Sequence, residues 1–153
     1  VKEVIDRAHA YVDERTAEQT GEKRAIVLDI DNTALETHFS PLPPTPAVAP
    51  VRDLARFAGD RGVDIFFITA RPDFIEQVTE WNLKQVGYPV DGLYGRSLGE
   101  LLESVQQYKT RMRKGIERRG YTIIANIGNN TTDLEGGHAE RTFKLPDYDG
   151  KLS

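Results

Sequence analysis

Three short apolar runs do most to limit the folds open to this chain. They are Ala25-Ile26-Val27-Leu28, Val63-Asp64-Ile65-Phe66-Phe67-Ile68 and Tyr121-Thr122-Ile123-Ile124-Ala125-Asn126-Ile127. Runs of this kind are expected of strands buried on both faces. Thr142-Phe143-Lys144-Leu145 reads as a short fourth strand, stopped by Pro146. Helical patterns lie between them. Val51, Leu54, Ala55 and Ala58 share one face, closed by Arg61-Gly62. Pro72 suits a first helical turn, with Phe74, Ile75, Val78 and Trp81 following and Gly87 as the stop. A third helical pattern runs from about Leu98 to Arg119, and Val1, Val4, Ile5, Ala8 and Val12 open the chain with an amphipathic helix over residues 1–20. Strands alternating with helices predict an α/β fold, a three-layer parallel sheet with helices on both faces.

The length of 153 residues suits a single domain, with its core expected over residues 25–145. No repeat or long linker divides it, and Ser40-Pro41-Leu42-Pro43-Pro44-Thr45-Pro46 reads as a stiff extended loop. The absence of cysteine excludes a disulfide scaffold, thiol catalysis and thiolate metal sites. A net charge of −4 argues against a nucleic-acid partner. No apolar run approaches the ~20 residues that span a bilayer, so no membrane partner is expected. Val1 in place of methionine reads as a mature or trimmed chain, from which any signal peptide is already missing.

In such sheets function collects at the carboxyl ends of the strands. The first run passes straight into Asp29-Ile30-Asp31-Asn32-Thr33. Alternation points Asp29 and Asp31 toward one pocket and Ile30 into the core. Two carboxylates so close need a cation or a hydrogen-bond cage, and Mg²⁺ prefers such oxygen ligands. The same five residues also suit a plain polar turn. The second run ends Thr69-Ala70-Arg71-Pro72, where a hydroxyl and backbone N–H groups can hold an anion or simply cap a helix. Arg71 adds a planar donor for phosphate or carboxylate, or is a solvated surface charge. The third ends Gly128-Asn129-Asn130-Thr131-Thr132-Asp133, a sharp turn from which Asn129 and Asp133 can present oxygens toward Asp29. Lys109 lies in the most basic stretch of the chain, a solvated helix face from which one lysine can reach the pocket. Asn129 and Asn130 also begin formal Asn-x-Thr sequons, discounted because a glycan there would block the crevice.

Taken together, Asp29-x-Asp31-x-Thr33, Thr69, Lys109 and Gly128-Asn129-x-x-x-Asp133 resemble the haloacid dehalogenase (HAD) superfamily of phosphatases. Leu28 to Thr33, Phe66 to Pro72 and Tyr108-Lys109 followed by Gly120 to Ile123 are similar to its class B acid phosphatase and plant vegetative storage protein branch. The likeness runs from about Ala25 to Leu145. It implies a HAD-like, Rossmann-like sheet and a Mg²⁺-dependent phosphomonoester hydrolase. Asp29 would be the nucleophile that forms an aspartyl-phosphate, and Asp31 the general acid and base. Thr69, Ala70, Arg71 and Lys109 would bind the phosphoryl group, and Asp29, Asp31, Asn129 and Asp133 would hold the metal. Asn129 departs from the commoner acidic residue and implies weaker metal binding.

The gaps from Thr33 to Thr45 and from Thr69 to Lys109 leave no room for a large cap domain, and an open crevice suits small phosphomonoesters or a phosphorylated macromolecule, of which the small phosphomonoester is the expected substrate. His38, Phe39, Trp81, Tyr94 and Tyr108 frame the mouth or serve as packing. The resemblance also implies secretion, keeps a weakly active or inactive storage role as the alternative, and keeps phosphotransfer to an alcohol through the same residues. It leaves a homo-oligomer open.

Overall fold

The computed structural model describes residues 1–37 and 42–147. Five strands form one sheet in the order β3-β2-β1-β4-β5: β1 (Lys23–Leu28), β2 (Asp64–Pro72), β3 (Gly92–Arg96), β4 (Tyr121–Gly128) and β5 (Arg141–Lys144). Every neighbouring pair is parallel, so all strands end on one side of the molecule. Alternation sorts their side chains into two layers. Ile26, Leu28, Ile65 and Phe67 pack with residues of α1 (Lys2–Arg15), α2 (Ala49–Asp60) and α3 (Glu76–Gln85). Ala25, Val27, Phe66 and Ile68 pack with Tyr108 and Ile116 of α4 (Val105–Arg118). This is the α/β sandwich that the apolar runs predict. The connections 29–48 and 97–104 are too short to hold a separately folded cap.

A bulge in β4 adjusts the sandwich where the chemistry lies. Ala25 pairs with Ile123, but Ile26 pairs with Ala125, which leaves Ile124 as an extra residue. The extra residue reverses the alternation, so Ile124 and Ala125 join the same core cluster. Asn126, opposite Val27, turns toward α4, and its Nδ2 donates to the Asp133 carbonyl at 3.0 Å.

Several sequence expectations need correction. The first helix ends at Arg15, where the Thr16 hydroxyl donates to the Val12 carbonyl at 2.7 Å and no apolar face continues beyond. β3 has no apolar run to announce it. A Cβ on its Gly92 would lie 2.5 Å from the Phe66 ring, so the strand spends side chains to gain close approach. Pro72 ends β2 instead of opening a helix, pairing with Arg96, and α3 begins only at Glu76 after a 3-10 turn. The apolar face expected there is outermost, with Phe74 82% exposed, while α3 buries Thr79, Asn82 and Leu83. Those polar groups hold loops: Asn82 exchanges two 2.8 Å hydrogen bonds with the Thr45 backbone. The helix expected from Leu98 starts at Val105, because the Ser104 hydroxyl accepts from the Gln107 N–H and caps it.

Candidate active site

β1 delivers its last residues to the carboxyl edge through a tight turn. The Asp29 N–H still donates to the Ile127 carbonyl at 3.0 Å, and the Thr33, Ala34 and Leu35 N–H groups then converge on the Ile30 carbonyl. Asn32 takes φ +62°, a left-handed conformation that asparagine tolerates better than most residues. Ile30 is buried in the core, while Asp29 and Asp31 line an open cavity of about 430 Å³. Ala70, Lys109, Asn130 and Asp133 line it as well. A larger cavity, about 640 Å³, lies at the opposite ends of the strands beside Asp64 and Asp91, remote from these groups.

Lys109 is the centre of the site. Its ammonium, only 2% exposed, donates to Asp29 Oδ1 at 2.7 Å and to Asp133 Oδ1 at 2.6 Å. Burial pulls its pKa down, but the two carboxylates outweigh that and hold it above the ordinary lysine value. Asp29 is pushed up to about 6, first by burial and then by the nearby Asp133 charge, against the opposing pull of Lys109. Two buried carboxylates thus share one ammonium in direct contact. Thr33 completes the cage, donating to Asp29 Oδ2 at 3.0 Å and lying 3.4 Å from Asn129 Oδ1.

Asp31 sits in a different environment. Arg71 Nη2 donates to its Oδ1 at 2.6 Å, Nε lies 3.1 Å from both oxygens, and the Thr37 hydroxyl donates at 2.8 Å. Burial would raise the Asp31 pKa, but Arg71 and Thr37 overcome it and hold the carboxyl below the usual range. Arg71, expected to bind phosphate, here directs its guanidinium to Asp31 and, at 3.2 Å, to the Thr79 hydroxyl. Thr69 is buried, next in sequence to the cavity-lining Ala70, and its hydroxyl accepts the Arg71 N–H at 3.1 Å.

Gly128 lets β4 turn against Asp133. A Cβ there would lie 2.6 Å from both Cβ and Oδ2 of Asp133, closer than real contacts allow. Replacing Gly128 with alanine is expected to displace Asp133 from Lys109 and to destabilise the fold by about 1–3 kcal/mol. Urea unfolding checks this, and an unchanged midpoint would count against it. Asn129 is wholly buried and Asn130 lines the cavity, so neither sequon is open to a glycan without disturbing the site. Trp81 and Tyr94 do not line the cavity. Tyr108 is core, its hydroxyl donating to the Tyr94 carbonyl at 2.8 Å. His38 and Phe39 lie outside the described residues.

Sequence reasoning missed Asn126 and Arg113, both of which grip the Asp133 backbone. For Arg113 a signal existed: it lies four residues after Lys109, on the same helix face. No three acidic or histidine side chains among the described residues are grouped to hold a metal, but the donor set is of the type a hard cation prefers. Asp29, Asn129 and Asp133 present side-chain oxygens within one hydrogen-bonded cluster, with no soft donor among them.

Fold and site together define a parallel α/β protein with a carboxylate–ammonium cluster at the ends of its central strands. Residues 44–151 match the family described as HAD superfamily, subfamily IIIB (acid phosphatase). The chain belongs to that family. The match includes Thr69, Lys109, Asn129 and Asp133, whereas Asp29 and Asp31 lie before it. Among curated proteins, the chain is 38% identical over 89 residues to a stem 28 kDa glycoprotein of Glycine max, covering 56% of this chain and 35% of that protein. It is 32% identical over 120 residues to vegetative storage protein 1 of Arabidopsis thaliana, covering 76% and 44%. The chain therefore spans less than half the length of these relatives. Among solved structures, the class C acid phosphatase from Bacillus anthracis superposes with a TM-score of 0.74 at 19% identity, over 95% of this chain and 75% of that one. That likeness concerns the fold.

Proposed function

We propose that the protein is a Mg²⁺-dependent phosphomonoester hydrolase working through an aspartyl-phosphate on Asp29. The observation that carries this reading is the meeting of Asp29, Lys109 and Asp133 within hydrogen-bond distance, with Asp31 on the same cavity. Asp29 attacks phosphorus, the bond to the leaving oxygen breaks, and Asp31 protonates that oxygen. Water then attacks the aspartyl-phosphate, Asp31 takes its proton, and inorganic phosphate leaves Asp29. Lys109 offsets the phosphoryl charge that would otherwise be repelled by Asp29. Asp29, Asn129, Asp133 and the Asp31 backbone carbonyl would hold Mg²⁺, which when bound supplies further charge neutralisation. Arg71 orients Asp31. Its hold suits Asp31 for taking the proton from water, while loading Asp31 with the proton for the first step favours acidic conditions.

An open cavity of about 430 Å³ suits a small phosphomonoester. Hydrolysis of an aryl phosphate, with and without Mg²⁺ and from acid to neutral pH, tests the reading. Turnover that needs Mg²⁺ is expected, and none at any pH would overturn it. Asn129 and the vegetative storage relatives favour, as a second reading, a weakly active or silent storage protein. Phosphotransfer uses the same residues and differs in acceptor, so products formed with glycerol present distinguish it. Secretion belongs to the same reading and is supported by relatives named glycoproteins.

An amide at position 129 gives the cation one negative charge fewer than a carboxylate would. Asn129→Asp is expected to tighten Mg²⁺ binding roughly tenfold, because affinity at oxygen sites follows ligand charge. Calorimetric titration of the metal-free protein reads this, and equal or poorer affinity argues against Asn129 as a ligand.

A further inference from the structure

Among the described residues, Arg113 has the largest of the side chains buried below 2% exposure, and it stands at 0%. Every hydrogen bond it makes among the described residues goes to a carbonyl or to a hydroxyl. Nη1 donates to the Asp133 carbonyl and Nε to the Gly137 carbonyl, both at 2.9 Å, and Nη2 donates to the Glu135 carbonyl at 2.5 Å and to Thr110 Oγ1 at 3.2 Å. Burying a guanidinium without a bonded carboxylate is costly, and the three carbonyls it satisfies offset that cost. The feature of arginine used here is its rigid fork of donors, which can span three carbonyls at once.

Those carbonyls belong to the segment that begins with Asp133. The Asp133 carboxylate is fixed by Lys109 on one oxygen and by the Asn130 N–H, at 3.0 Å, on the other. Its carbonyl is fixed by Arg113 and Asn126 together. Thr110 adds a 3.2 Å hydrogen bond to the Glu135 carbonyl. A Cβ on Gly136, which takes φ +98°, would lie 2.2 Å from the Thr110 hydroxyl, so the segment fits closely against α4. Lys109, Thr110 and Arg113 therefore present one helix surface, which holds Asp133 by its side chain and by its main chain.

We propose that Arg113 is a positioning residue of the site: by clamping the carbonyls of Asp133, Glu135 and Gly137 to α4, it sets where the Asp133 carboxylate meets Lys109. The proposal rests on the hydrolase reading only in taking Asp133 as a group that the site uses. A residue that only ties the segment down would alter its exchange and leave metal affinity alone. A positioning residue also changes what the Asp133 carboxylate can bind.

The test is Arg113→Lys in the full chain, which keeps the charge and loses the fork. Amide hydrogen exchange over residues 131–137 is expected to rise about tenfold or more, with β1 and β2 unchanged. Mg²⁺ affinity, read by calorimetry, is expected to fall about 10–100-fold, the usual effect of losing support behind a ligand. Exchange that rises evenly across the sheet, or does not change over 131–137, overturns the proposal, as does a variant that binds Mg²⁺ as tightly as the wild type. If Arg113→Lys does not fold, Thr110→Val, which removes one strut of the same clamp, is read in its place. It is expected to shift exchange over 131–137 in the same direction by a smaller amount, and no shift would likewise overturn the proposal. A wild-type protein that fails to turn over aryl phosphate sinks the hydrolase reading alone, because exchange and Mg²⁺ affinity are both read without any turnover.

Discussion

Asp29→Asn is expected to lower aryl phosphate hydrolysis at least about a thousandfold while the fold stays intact. The asparagine has nearly the same volume, so the close packing at a position only 8% exposed is kept. What is lost is the attacking carboxylate, and an amide oxygen is too weak a nucleophile to replace it. Stability is expected to hold or rise. Asp29 and Asp133 compete for one ammonium, and burial with that like charge already pushes the Asp29 carboxyl up to about 6. Removing one of the two charges relieves the conflict and leaves Lys109 paired with Asp133. Initial rates and urea unfolding of the purified variant separate the two effects. Activity within tenfold of wild type would remove Asp29 from the nucleophile role, whatever the stability result.

The layers of the fold could be read because buried parallel strands must be apolar throughout, and β1, β2 and β4 carry that pattern. β3 could not, since its two glycines serve close approach to Phe66 and to the Arg71 carbonyl, not burial of their own surface. The buried face of α3 departs from its apolar spacing for a related reason. Phe74, Val78 and Trp81 follow helical spacing, yet the buried face carries Thr79 and Asn82, whose hydrogen bonds to Arg71 and to the Thr45 backbone outweigh their polarity. Spacing reports which residues share a face, not which face turns inward. At the site, strand ends pointed to Asp29, Asp31 and Asp133 by position. The partner of each could not be read, because pairing between Arg71 and Asp31 depends on distances set by the sheet. Arg113 stood within a run of basic residues typical of a wet helix face, and its spacing four residues after Lys109 is the sequence signal that sets it apart.

Lys109→Met is expected to destabilise the metal-free protein by about 3–5 kcal/mol, the cost of leaving buried charges without their partner. Methionine matches the length and apolar character of the lysine stem, so little packing is lost. The ammonium, however, is the bonded cation between Asp29 and Asp133, both of which are buried. Without it, two like charges face each other in a medium that screens them poorly. The double variant Lys109→Met with Asp29→Asn is expected to recover part of that loss, because it removes one of the stranded charges. Urea unfolding in the presence of a chelator gives the stabilities of all four proteins and hence the coupling between the pair. Hydrolysis by Lys109→Met at saturating Mg²⁺ is expected to fall about 10²–10³-fold, since a fixed positive donor to the transferring group is gone. A single variant within about 1 kcal/mol of wild type would mean that the carboxylates shed their charge or draw in water at little cost. In that event Lys109 would not be the group that makes this cluster of acids tolerable, and the electrostatic basis of the site would have to be sought elsewhere.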